Sequence, residues 1–163
     1  MRSKHHFDKP FQLYHLSDHN MDRQILTPRP MDPDCVMEGE DWKTPRICVA
    51  PSIDGCVSAI VDSILDPYGM KFWVHVPINL IDLFNNHDVY CPSVRQVPDA
   101  EATGEHWLKA PTRFKTIGQI EVLDVDENVQ MNFKWGDEIS TMYRYNWRWI
   151  IRDACNNDID MHI

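Results

Sequence analysis

Three polar residues stand at the ends of apolar runs: His15 in LYHLS, Ser52 in CVAPS and Glu105 in TGEHWL. An imidazole at a strand end can hold a ligand through one ring nitrogen while a bond at the other fixes its tautomer. A serine between a strand and a helix caps the helix and sets a hydroxyl beside its free N-terminal amides. A carboxylate in such a place can stabilise developing positive charge. Arg29, in a loop of prolines and acids, is the anion-binding candidate of that loop. Each residue also has a plain structural role open to it: a strand-end hydrogen bond, a helix cap, an exposed glutamate, a solvated arginine.

The stretch Thr44 to Ile64, TPRICVAPSIDGCVSAIVDSI, positions Ser52. Arg46 to Ala50 is a short apolar run with β-branched residues between Pro45 and Pro51, and predicts a buried strand. Pro51 has no N–H to extend a ladder. Ile53, Val57, Ile60, Val61 and Ile64 recur at helical spacing behind Ser52, and Asp54 suits the first turn of that helix. Phe11 to Ser17 predicts a strand with Phe11, Leu13 and His15 on one face. Lys71 to Pro77 predicts a second buried strand on which His75 and Trp73 share a face, with His75 structural. Ile78 to Phe84 is expected to hold one helical turn, and Asp88 to Cys91 a short edge strand.

Thr103 to Leu108 predicts a third strand, opened near Glu105 and closed by Ala110-Pro111-Thr112. Phe114 to Val125 predicts a long strand, Asp126-Glu127-Asn128 a turn, and Val129 to Phe133 its hairpin partner. Met142 to Cys155 predicts a helix with Trp147, Ile150, Ile151 and Ala154 on its apolar face and Arg144, Arg148 and Arg152 on a polar stripe. Thr27 to Lys43 carries Pro28, Pro30 and Pro33, which forbid a regular element and leave a long surface loop. Residues 1–10 read as a flexible, basic tail; its His5 and His6 lack a third metal ligand nearby. The fold expected is a single α+β domain over 11–163, with mostly antiparallel sheets and few helices.

With 163 residues, 43% of them hydrophobic and 25% charged, the chain has the composition of a globular domain with a proper core. Its formal net charge of −9 argues against nonspecific binding to nucleic acid or anionic membrane. Cys35, Cys48, Cys56, Cys91 and Cys155 are odd in number and show no metal-type spacing, so reduced thiols and a cytoplasmic location are expected. Cys48 and Cys56 read as small apolar residues of the core. No apolar run is long enough to span a bilayer.

The run from Glu105 to Phe114, EHWLKAPTRF, resembles the third motif of the ADP-ribosyltransferase superfamily, where a glutamate opens a strand that leads to a proline turn and a second strand with an aromatic residue. LYHLS resembles the first motif, and ICVAPS followed by a helix resembles the second; the three stand in the family's order. The triplet Ser-Thr-Ser of many members is absent, and only Ser52 answers to it. Thr103 occupies the place of a second acidic or amide residue in some branches. The LYHLS and TPRxCxAPSID runs are also similar to those of small tailed-phage proteins.

The resemblance implies an ADP-ribosyltransferase-like fold and NAD as substrate, with transfer to a protein target, such as a host or defence component in the host cytoplasm. Glu105 would be the catalytic carboxylate, and His15 would act in catalysis and in binding ribose or carboxamide. Ser52 would hold the same region of NAD, with Arg29 or Arg46 on the pyrophosphate. Two other classes stay open: a non-catalytic binding module or inhibitor, sequestering a nucleotide or acting as an acidic decoy, and an RNA-phosphate-handling enzyme. An enzyme needs Glu105 beside His15 in a pocket; a decoy has no reason to bring them together.

Overall fold

The computed structural model describes residues 11–61, 71–135 and 138–152. Its elements are β1 (His15–Ser17), β2 (Ile25–Leu26), β3 (Ile47–Val49), α1 (Ile53–Val61), β4 (Lys71–Pro77), α2 (Leu80–Asn85), β5 (Val89–Tyr90), α3 (Ala100–Thr103), β6 (His106–Leu108), β7 (Thr112–Trp135) and β8 (Glu138–Arg152). They form a single α+β domain with antiparallel sheets and few helices. One sheet runs β1-β4-β7-β2, with β8 also on β7; the other runs β3-β6-β5. The expected tail, residues 1–10, lies outside the described residues, as do Cys155 and Ile64.

The two sheets meet where Tyr14 and Ala50 exchange a pair of backbone hydrogen bonds of 2.8 and 3.0 Å. α1 follows that junction and packs Ile53 and Val57 onto Leu16, Phe72, Val74 and Ile120. A second cluster of Leu13, Ile47, Val49, Leu108 and Phe114 fills the space on one face of the small sheet. Alternation explains the division: Ile47 and Val49 point into that cluster, and Cys48 between them points away.

Three expectations are corrected. The helix expected over Met142 to Cys155 is a strand as far as Arg152, with the remainder outside the described residues; β8 pairs antiparallel with β7, Tyr143 opposite Gln130 and Trp147 opposite Val125. The sequence YRYNWRW alternates aromatic with polar residues, a period of two, and aromatics favour a pleated sheet. Arginines four apart fit a strand as well as a helix, because four is a multiple of both periods to within a fraction of a turn. Next, Asp126-Glu127-Asn128 is not a hairpin turn. β7 continues for 24 residues through Trp135, and the ladder absorbs the segment as a register shift between Asp126 and Val129.

The third correction bears on the site. Thr103 does not open a strand; it ends the short helix α3, and Gly104 follows with φ of 69°, the left-handed conformation glycine adopts without strain. The amides of Gly104 and Glu105 both return to the Ala100 carbonyl, at 2.9 and 3.2 Å. Glu105 is thereby placed at the turn into β6.

Candidate functional site

The small sheet gathers the candidate site on the face turned away from the cluster of Ile47, Val49 and Leu108. Cys48 on β3 lies opposite Trp107 on β6, and Trp107 lies opposite Tyr90 on β5. Arg46 is two residues before Cys48 and Glu105 two before Trp107, so strand alternation puts all five side chains on one face. His15 reaches the same place from the other sheet: its Nδ1 is 2.8 Å from the Cys48 carbonyl oxygen. A carbonyl only accepts, so Nδ1 carries the proton and Nε2 is left as the acceptor of the neutral ring.

His15, Cys48 and Glu105 line one open cavity of about 450 Å³, counting its mouth. α1 supplies Gly55 and Cys56 to its wall, and α3 supplies Thr103. Within it, the space open to a water-sized molecule is about 120 Å³, and its makeup is that of ligand pockets in general, mostly apolar with a few convergent polar groups.

Glu105 is buried at 8% exposure, not displayed at a strand start. Burial raises its carboxyl above the ordinary glutamate value, and a 2.6 Å hydrogen bond from the Trp107 indole Nε1–H works in the opposite direction. Burial lowers the imidazole of His15, so it stays neutral, and the positive charge of Arg29 lowers it further. The Cys48 thiol, next to both Glu105 and Arg46, is pushed up to about 12, chiefly by burial. It is therefore a neutral wall group and not a nucleophile.

Ser52 serves as the cap its position predicts. Its Oγ accepts the Gly55 N–H at 3.0 Å, and its carbonyl accepts the Cys56 N–H at 3.2 Å. This fixes the turn of α1 that borders the cavity, and leaves the Ser52 hydroxyl proton for another partner. Arg29 is exposed and joined to Arg46 by an antiparallel backbone bridge, with its charge felt at His15.

Arg46 has a different place from the one expected. Its side chain is fully buried and its Nη2 donates to Glu40 Oε1 at 2.8 Å. Nη1 donates to the carbonyls of Asp41 and Thr44. Nε is buried without a hydrogen-bond partner, and the guanidinium lies 4.3 Å from the centroid of the Trp107 ring. A cation so enclosed is committed to the protein and not open to a pyrophosphate.

His75 is held by hydrogen-bond partners at both ring nitrogens, and the alternation that put it with Trp73 is broken. The register shifts between Val74 and His75, and both are buried. Its Nε2 is 2.7 Å from Ser17 Oγ and its Nδ1 2.9 Å from Thr116 Oγ1.

Sequence reasoning took Cys48 for a core residue only and gave Gly55, Trp107 and Glu40 no place at the site. For Cys48 and Trp107 the signal was present in their spacing of two from Arg46 and Glu105. Glu40 lay in a loop without periodicity, where no pattern gives contacts. Compared with protein-family models, curated proteins and solved structures, the chain finds no match. Among the described residues no helix is long and apolar enough to cross a membrane.

Proposed function

We propose that the chain is an NAD-dependent mono-ADP-ribosyltransferase-like enzyme acting at the cavity between His15 and Glu105, phage-encoded and directed at a host or defence protein. The observation that carries the reading is that these two residues, on different sheets and far apart in sequence, border one pocket. The motif order in the sequence supplies the class of substrate.

In this reading, breaking the bond between nicotinamide and ribose leaves positive charge on the sugar. Glu105 as a carboxylate stabilises that cation and accepts a hydrogen bond from a ribose hydroxyl. Burial strengthens this attraction, because little water competes. His15 Nε2 is an acceptor, suited to a ribose hydroxyl or to the carboxamide N–H of the nicotinamide. Nicotinamide leaves, and a nucleophile of the target protein, or water, takes its place on the ribose carbon. Arg29 at the exposed side is the group offered to the pyrophosphate, and Ser52 offers its hydroxyl proton.

The test is labelled NAD incubated with the protein and a bacterial lysate, reading both nicotinamide release and label on protein. Glu105→Gln keeps size and most hydrogen bonding and removes the charge, so turnover should fall on the order of a hundredfold, roughly 3 kcal/mol of barrier. Full activity in a folded Glu105→Gln variant would sink the mechanism. A wild type that neither binds NAD nor labels any protein would hand the protein to the other reading, a non-catalytic binding module or inhibitor.

A further inference from the structure

We propose that Trp107 is a positioning residue for Glu105, and that the buried pair of Arg46 and Glu40 holds Trp107 in the orientation this requires. The proposal rests on the reading of Glu105 as the working carboxylate. Its physical basis is the stacking order on one face of the small sheet. Trp107 is fully buried and donates its Nε1–H to Glu105 Oε1 at 2.6 Å. A carboxylate has two oxygens, and a donor on one of them stops free rotation and so orients the other.

The indole can do this because two neighbours pack against it. Arg46 lies over it at 4.3 Å, and the Tyr90 ring stands 5.6 Å away at an interplanar angle of 33°. The guanidinium is in turn fixed by Glu40 and by the carbonyls of Asp41 and Thr44. Glu40 belongs to the acidic, proline-rich loop, so that loop reaches the carboxylate through two stacked side chains. This gives a buried ion pair a role other than stability, which such pairs seldom supply by themselves. Arg46 thus serves the site by holding Trp107 and not by touching a phosphate.

Trp107→Phe keeps a flat ring for Arg46 and removes the N–H. Because that N–H favours the ionised carboxylate, its loss should move the titration of Glu105 to higher pH. Carboxyl-labelled glutamate followed by NMR reads this without NAD. With NAD, the acid limb of the kcat/KM profile should move to higher pH in the same direction. Turnover should drop by about ten- to a hundredfold from the misplaced oxygen, and KM should change by less than about threefold.

If Trp107→Phe does not fold, benzothienylalanine at position 107 replaces the N–H by sulfur at nearly the same size and is read in the same way. Glu105 titrating as in wild type, in either folded variant, overturns the proposal. A shifted titration together with no NAD turnover in the wild type keeps Trp107 as the holder of Glu105 and rejects the enzymatic reading instead.

Discussion

Gly55 on α1 approaches Thr103 on α3 so closely that a Cβ on Gly55 would lie 2.1 Å from the Thr103 carbonyl oxygen. Both residues border the cavity. The contact is made by backbone, which cannot rotate aside as a flexible side chain can, so only glycine allows the two helices to form this wall.

Gly55→Ala therefore sets two effects against each other. Alanine is favoured over glycine within a helix by up to about 1 kcal/mol. Overpacking a tight contact costs about 1–3 kcal/mol, and more where the obstacle is backbone. The second wins, and the variant should be less stable than wild type in a urea melt. An increased midpoint would show that α1 and α3 can separate without cost.

His15→Ala removes the ring that donates to the Cys48 carbonyl and stands 5.4 Å from the Phe114 ring. Losing the hydrogen bond leaves a carbonyl beside the cavity, where water can reach it, so the stability cost should be about 1–2 kcal/mol. In the proposed enzyme the variant should bind NAD at least tenfold more weakly, about 1.4 kcal/mol. Calorimetric titration measures it, and unchanged affinity would remove His15 from the binding site.

His75 links stability to pH. Burial, with the neighbouring His15 adding to it, lowers its pKa from 6.5 to about 4. Between those values the unfolded chain binds a proton that the folded chain refuses, so unfolding gains as pH falls. The contribution is fully present above 6.5 and is lost as pH drops through about 4. Urea midpoints at a series of pH values should fall more steeply for wild type than for His75→Gln, which does not titrate. Equal slopes would mean that His75 binds its proton as readily in the fold as in the unfolded chain.

The thiols should separate into two groups. Cys35 and Cys91 are exposed. Cys48 and Cys56 are both pushed up to about 12, first of all by burial, so little thiolate forms at neutral pH. A chromogenic disulfide reagent should modify Cys35 and Cys91 in the native protein and reach Cys48 and Cys56 only after denaturation. Under denaturing, non-reducing conditions all five thiols should titrate as free.

How far the site could be read from the chain depended on the range of the interactions involved. Ser52 and α1 followed from a proline, a cap and a helical period, all local signals. The separation of His15 from Glu105 left only motif order to join them, since strand pairing carries no mark in either segment. α3 was legible in Asp99 and Gly104, a residue type favoured before a helix and one favoured after it, yet the apolar run beyond drew the strand boundary too early. Arg46 looked available because an arginine is seldom buried, although it opens an apolar run. Its burial depends on Trp107, which strand β6 brings opposite Cys48. The misread β8 shows the cost of testing only one periodicity on a segment that satisfies two.

The paired hydrogen bonds between Tyr14 and Ala50 acquire a mechanical meaning from what flanks them. His15 follows one partner directly, and Cys48 and Ser52 stand two residues either side of the other. One wall of the cavity thus hangs on each sheet, and this pair of bonds is the rivet across the joint. Any opening between the sheets must break it before the cavity can widen. The amide protons of Tyr14 and Ala50 are accordingly natural gauges of the site, and their exchange with deuterium should slow when the cavity fills.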